Sequence, residues 1–324
     1  MEPRPTMSGV LVALGGNALQ RAGGSGTWAE ARAQMRGTVS ALSEIAASGH
    51  ELVLSHGNGP QVGALLRQNE LGQREVPARP LDVLGAETQG QIGYLIQTEL
   101  PPALRRAKIE RSVLSIISRT EVSLRDPAFR RPTKPVGRYY PEEEARLLRK
   151  RLGWVLQFDG ARGGWRRLVP SPKPVRWLEG PAVRELLRAG LGERWVPVVA
   201  GGGGIPVVRR KDGGYDGVEA VIDKDLGASL VARELGLSTL AIVTDVPGAA
   251  VHFGRKGERW LGETTLDELV RFHEAGEFSA GSMGPKVEAG IEFLRGGGTR
   301  FLITDIASLS RAVAGEAGTR VRRS

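Results

Sequence analysis

The 324-residue chain contains no cysteine, so disulfides, thiolate metal sites and a cysteine nucleophile are all excluded. No run of about 18 consecutive apolar residues occurs, and no segment reads as a membrane-spanning helix. Met1 to Ser8 carries neither the basic flank nor the apolar core of a secretory signal, so the expected location is cytoplasmic. There are four histidines and no evident serine–histidine–aspartate constellation. Aromatic residues make up 5% of the chain and do not interleave with basic ones, which leaves few stacking platforms for nucleic acid. Two phosphate signatures are missing. There is no G-x-x-x-x-G-K-[ST] loop, and no G-x-G-x-x-G opening a helix with an acidic residue about 20 positions on. Lysine is also scarce, at eight residues against 37 arginines. A lysine is a compact point charge, whereas arginine offers a planar fork, so each lysine stands out against this background.

The composition is that of an ordinary globular protein, 40% hydrophobic and 25% charged, with a formal net charge of +9. The excess is local. Arg125 to Arg176 holds fourteen basic and five acidic residues, and the remainder is neutral. Such a segment attracts anions, small phosphates included, or is simply an arginine-rich solvated surface.

Short apolar runs alternate with helical periodicity. Strands are expected at Val10–Leu14, Glu51–Ser55, Ser112–Ser118, Trp195–Ala200, Leu240–Thr244 and Thr299–Thr304. Helices are expected at Trp28–Ser48, Gln61–Asn69, Glu87–Leu100, Asp225–Leu235, Thr265–Ala275 and Gly284–Arg295. The alternation predicts an α/β fold with a mostly parallel sheet covered on both faces. Residues 119–177 differ in character, holding the charge excess, three of the six tryptophans and two proline clusters, and read as an inserted subdomain. Gly318 to Ser324 reads as a frayed basic tail.

Three expected strands end in polar glycine turns: Gly15-Gly16-Asn17, His56-Gly57-Asn58-Gly59 and Gly201 to Gly204. Ligands of parallel α/β folds sit at the carboxyl ends of strands, where glycine lets backbone N–H groups approach a phosphate. A single such turn could equally be structural. Lys224 lies between Asp223 and Asp225 at a helix start, Lys286 follows the glycine turn Gly281-Ser-Met-Gly-Pro, and Lys134 lies between two prolines. Each could be an ordinary surface lysine, but phosphoryl transfer accounts for all three together. Its loose transition state needs cations and backbone N–H groups more than a general base.

Nine stretches together resemble the carbamate kinases of the amino acid kinase family, from about residue 10 to 305. They include Val12-Ala-Leu-Gly-Gly-Asn-Ala-Leu19, His56-Gly-Asn-Gly-Pro-Gln-Val-Gly63, Val221-Ile-Asp-Lys-Asp-Leu226 and Gly281-Ser-Met-Gly-Pro-Lys286. Arg131-Pro-Thr-Lys-Pro135 and Pro170-Ser-Pro-Lys-Pro174 are specific to the carbamate kinases. Where that family more often has Pro-Phe-Tyr, this chain has Arg138-Tyr139-Tyr140.

The resemblance implies an open three-layer αβα sandwich, one domain over residues 1–324, usually a homodimer. Its inserted subdomain, about 119–177, would form a lid over the active site. Residues 1–200 would bind carbamate and phosphate, and 201–324 the nucleotide. Gly15, Gly16, Asn17, Gly57, Asn58 and Gly59 would contact the transferred phosphate. Lys224 and Lys286 would stabilise it, with Asp225 orienting them, and Lys134 would reach toward carbamate. Gly203, Thr244, Asp245, Val246 and Met283 would bind ATP or ADP, with Mg2+ held by the nucleotide phosphates and no dedicated protein metal site. The implied partners are small molecules, not nucleic acid or membrane. A kinase of another acid in the same fold, or a nucleotide sensor without turnover, are the alternatives.

Overall fold

The computed structural model describes residues 7–19, 24–160, 162–189, 194–279 and 281–323. In the strand Met7–Leu14, Val10, Val12 and Leu14 pack into one buried cluster while Leu11 and Ala13 pack into another. The strand Glu51–His56 divides in the same way, Leu52 and Leu54 against Val53, and Leu237–Thr244 splits Ala241 and Val243 from Leu240 and Ile242. A strand apolar on both sides must be covered on both sides. Helices Trp28–Ala47, Leu81–Arg106 and Leu309–Ala314 cover one face. Gly180–Arg188, Lys224–Leu235, Leu266–Glu274 and Met283–Arg295 cover the other, completing an αβα sandwich.

The central sheet has eight strands, in the spatial order Glu263–Thr265, Thr319–Arg322, Arg300–Asp305, Leu237–Thr244, Met7–Leu14, Glu51–His56, Trp195–Val198 and Ser112–Ser115. From Arg300–Asp305 to Ser112–Ser115 every pairing is parallel, so these carboxyl ends share one edge of the molecule.

Two expectations need correction. Thr319–Arg322 is no frayed tail but a strand antiparallel to Arg300–Asp305. Thr319 and Val321 are fully buried while Arg320 and Arg322 point outward, an alternation hidden by the charge of the segment. The helix placed at Glu87–Leu100 runs from Leu81 to Arg106, through Pro101 and Pro102. A helix-interior proline costs about 3 kcal/mol, but Leu100, Ala103 and Leu104 are buried against the sheet and offset that cost.

Within the segment set apart by its prolines, Lys134–Tyr140, Gly164–Val169 and Val155–Asp159 form a three-stranded antiparallel sheet with the helix Glu142–Leu152. Tyr140, Ala145, Leu156, Leu148, Trp154 and Trp165 pack as its own small core. Much of the positive charge is consumed here. Arg149 sits over Trp165 at 4.0 Å, Arg167 over Trp154 at 4.2 Å and Arg138 over Tyr140 at 4.2 Å. Arg119–Glu121 and Arg176–Trp177, where the chain leaves and returns, pair antiparallel in a second sheet with Ile205–Arg209 and Tyr215–Gly217.

Candidate active site

Two of the glycine turns meet at adjacent strand ends. The Gly57 N–H donates to the Leu14 carbonyl at 2.9 Å, which ties the second turn to the first. A Cβ on Gly15 would lie 2.6 Å from the Val243 carbonyl oxygen, and one on Gly57 would lie 3.0 Å from Lys224 Cδ, so a side chain at either would displace a neighbour. The missing side chain of Gly57 therefore makes the path along which Lys224 reaches inward. Asn58 precedes the helix Gly59–Gly72 and donates from Nδ2 to Thr88 Oγ1 at 2.9 Å. It is thereby oriented while the helix N-terminus, with its free N–H groups, opens toward the cleft.

The helix Lys224–Leu235 carries the centre of the site. Asp223 is its N-cap, and Oδ1 accepts from the Asp225 N–H at 2.9 Å. Asp225, only 2% exposed, receives Lys224 Nζ on Oδ1 at 2.5 Å and Lys286 Nζ on Oδ2 at 2.9 Å. Burial by itself raises a carboxyl pKa. Here the charges and hydrogen bonds of Lys224 and Lys286 outweigh it and hold Asp225 below the ordinary value. One buried carboxylate thus holds two ammonium groups, and the cluster keeps a surplus positive charge suited to a phosphoryl group.

Of the two aspartates flanking Lys224, Asp225 is the one that pairs with it. Asp223 Oδ2 instead accepts from Lys134 Nζ at 2.6 Å, across 89 residues. Lys134 begins the strand Lys134–Tyr140 of the small sheet and overhangs the same opening.

The site is two adjoining clefts. The first, about 350 Å³, is lined by Gly16, Gly57 to Gly59, Lys134, Asp223 to Asp225, Gly281, Ser282 and Lys286, among others. The second, about 360 Å³, is lined by Gly15, Gly16, Ala18, Gln34, Lys224, Val243 to Asp245, Lys286, Asp305 and Ile306. Gly16, Lys224 and Lys286 line both. A group passing from one cleft to the other goes by the two lysines.

Other expected residues fall further out. Thr244 and Asp245 line the second cleft, with the Thr244 hydroxyl donating to Asp245 Oδ1 at 3.0 Å. Val246 and Met283 line neither cleft, and Met283 packs on the core beneath the sheet. Gly203 also lines neither. With φ of +88° it packs under the helix bearing Lys224, where a Cβ on Gly227 would come within 2.6 Å of Gly203 Cα. Asn17 lies on the short helix Gly16–Leu19, and its side chain is outside the described residues. His56, fully buried, has its pKa lowered to about 4 by burial, opposed by its Nδ1 contact with the Gly57 carbonyl.

Sequence reasoning did not single out Arg166, Asp305 or the role of Asp223. Arg166 lines the first cleft, but one arginine among so many carried no signal in the sequence. Asp305 ends the strand Arg300–Asp305, a strand-end position that could have marked it.

The Amino acid kinase family profile matches residues 9–305. A carbamate kinase of Pyrococcus horikoshii is 46% identical over 96% of this chain and 98% of its own length. One from Thermococcus kodakarensis is 45% identical over 98% of this chain and all of its own. Among solved structures, carbamate kinase from Giardia lamblia bound to AMP-PNP superposes with a TM-score of 0.90 at 37% identity, covering 98% of this chain and 99% of that one.

Proposed function

The chain belongs to the amino acid kinase family and acts as a carbamate kinase, and from this premise we propose how its residues move a phosphoryl group between ATP and carbamate. The observation that carries the reading is the position of Lys224 and Lys286 on the wall common to both clefts, bridged by Asp225. The first cleft takes carbamate or carbamoyl phosphate beneath Lys134, and the second takes ADP or ATP beside Thr244 and Asp245. Lys134 and the Gly57–Gly59 turn, from the residues up to about 200, serve the acid, and Thr244 and Asp245, from residues 201–324, serve the nucleotide, with the small sheet of residues 134–169 as a lid. The Giardia relative bound to AMP-PNP supports an adenine nucleotide as the second substrate.

In the direction that forms ATP, an oxygen of the ADP β-phosphate attacks the phosphorus of carbamoyl phosphate. The bond from phosphorus to the carbamate oxygen breaks, and carbamate leaves with the bonding pair. Attacker and leaving group are both anions, so no protein group has to move a proton. Lys224 and Lys286 spread positive charge over the equatorial oxygens. Gly16, Asn58 and Gly59 offer N–H groups, the Gly57 N–H being held by the Leu14 carbonyl, and Lys134 neutralises the carbamate. Asp225 keeps the two ammonium groups from separating.

Kinase chemistry of this type uses Mg2+, and the residues present fit an ion held mainly by the nucleotide. Both Asp225 oxygens are taken by lysines, while Asp245 and Asp305 line the nucleotide cleft. Bound there, the ion would neutralise phosphate charge. We further infer a cytoplasmic homodimer using small-molecule substrates and working toward ATP. The test is ATP formation from ADP and carbamoyl phosphate by the purified chain, with Lys286→Ala as control. Absence of ATP with the parent protein, or an undiminished rate in the variant, overturns the assignment.

A further inference from the structure

We propose that Arg166 is a second substrate-contacting cation of the lid, one that binds an oxygen of carbamoyl phosphate in the first cleft. Four described cations line that cleft: Lys134, Lys224, Lys286 and Arg166. The three lysines each rest on a carboxylate, Lys134 on Asp223 and the other two on Asp225. Arg166 has no carboxylate partner among the described residues, and its Nε is buried with no hydrogen-bond acceptor. Arg166 nonetheless lines the cleft, so a guanidinium charge matched by no carboxylate faces it, and such a charge at the wall of a ligand cleft is matched by an anion that arrives with the ligand. An anionic oxygen is the chemistry that a guanidinium group recognises.

Arg166 is also placed and held for this. It stands on the strand Gly164–Val169, opposite Tyr139 of the strand that begins with Lys134. Its guanidinium lies over the Tyr139 ring at 5.3 Å, which restrains the group without using its donors. Tyr139 is itself anchored, its hydroxyl donating to Asp159 Oδ2 at 3.0 Å. Neighbouring Arg167 faces the opposite way, paired with Glu219 at 2.7 Å and stacked on Trp154. Of this vicinal pair one arginine is structural and the other is free for a ligand. Since Arg166 and Lys134 ride on paired strands of one sheet, they reach the cleft as a unit. Both engage the acid substrate, and neither lines the nucleotide cleft.

The inference rests on the reading that the first cleft holds the acid substrate, and the experiment separates the two. Steady-state constants for carbamoyl phosphate and for ADP are measured in the parent, Arg166→Met, Arg166→Lys, Tyr139→Leu and Lys134→Ala. Arg166→Met is expected to raise the KM for carbamoyl phosphate about ten- to hundredfold, the range of one charge-assisted hydrogen bond, with the ADP KM within about twofold. Inorganic phosphate should lose competitive inhibition against carbamoyl phosphate by a similar factor. Arg166→Lys should recover part of the loss, because charge returns without the fork. If Tyr139→Leu reproduces the whole effect of Arg166→Met, the arginine serves only the stack and the proposal fails. It fails also if Arg166→Met leaves the carbamoyl phosphate KM unchanged or raises both constants alike while Lys134→Ala raises the carbamoyl phosphate KM alone. If Lys134→Ala too leaves carbamoyl phosphate use untouched, the underlying assignment of the cleft falls with it.

Discussion

Lys134 Nζ lies 2.6 Å from Asp223 Oδ2, and the other oxygen of the same carboxylate caps the helix that begins with Lys224. One side chain thus joins the lid to the helix bearing the central lysine. The two jobs can be separated by mutation. Asn caps a helix as well as Asp does, whereas Ala costs about 1 kcal/mol. Asp223→Asn should keep the melting temperature within about 2 °C but raise the KM for carbamoyl phosphate, and Asp223→Ala should lower both stability and substrate use. Calorimetry beside steady-state kinetics checks this, and equal melting temperatures in the two variants would remove the capping role.

Asp225→Asn leaves two ammonium groups facing each other with no charge between them. The expected outcome is a fall in kcat of about 10²–10³, the scale of losing one preorganised electrostatic contact, while the KM for ADP changes little. A kcat within tenfold of the parent would mean that the lysines hold their positions without the carboxylate.

His56 should make the fold acid-sensitive. Its folded-state pKa of about 4 lies below the ordinary 6.5, so the unfolded chain binds the proton more readily between these values. The stability it contributes is therefore fully present above pH 6.5 and is lost as pH falls toward 4. Over that span the loss amounts to a few kcal/mol. Chemical denaturation of the parent and of His56→Gln at pH 7 and pH 4.5 should show a smaller pH dependence in the variant.

Glu70 anchors the far end of the strand that begins with Lys134. Its carboxylate accepts from Tyr140 Oη, from Arg138 Nε at 2.9 Å and from Arg67 Nη1 at 3.0 Å. Between the two anchors the strand bulges at Gly137, whose φ is +72°. Glu70→Ala should weaken carbamoyl phosphate use several-fold and speed hydrogen exchange in residues 134–140, with ADP binding unchanged. Exchange equal to the parent's would show that the lid is held without Glu70.

Val321 is fully buried in a strand between two others. Val321→Asp places an unpaired carboxylate there and should destabilise the protein by about 3 kcal/mol or more, readable as a marked fall in melting temperature. A shift of a degree or less would restore the frayed tail.

Much of this protein is local and so was readable from its residues. Apolar runs of strand length gave the parallel sheet, because a strand covered on both faces has no polar side to show. The first two glycine turns and Lys224-Asp225 are each contiguous in sequence, so their meeting at the strand ends followed from motif and fold class. Where charge masked periodicity the reading failed, as at Thr319–Arg322, and where proline masked burial it failed again, as at Pro101 and Pro102. The partners of Lys134, Arg166 and Glu70 lay beyond any sequence pattern. Asp223 is 89 positions from Lys134, and in an arginine-rich segment only packing decides which guanidinium is neutralised by a carboxylate, which stacks on a ring, and which faces a cleft without a carboxylate partner.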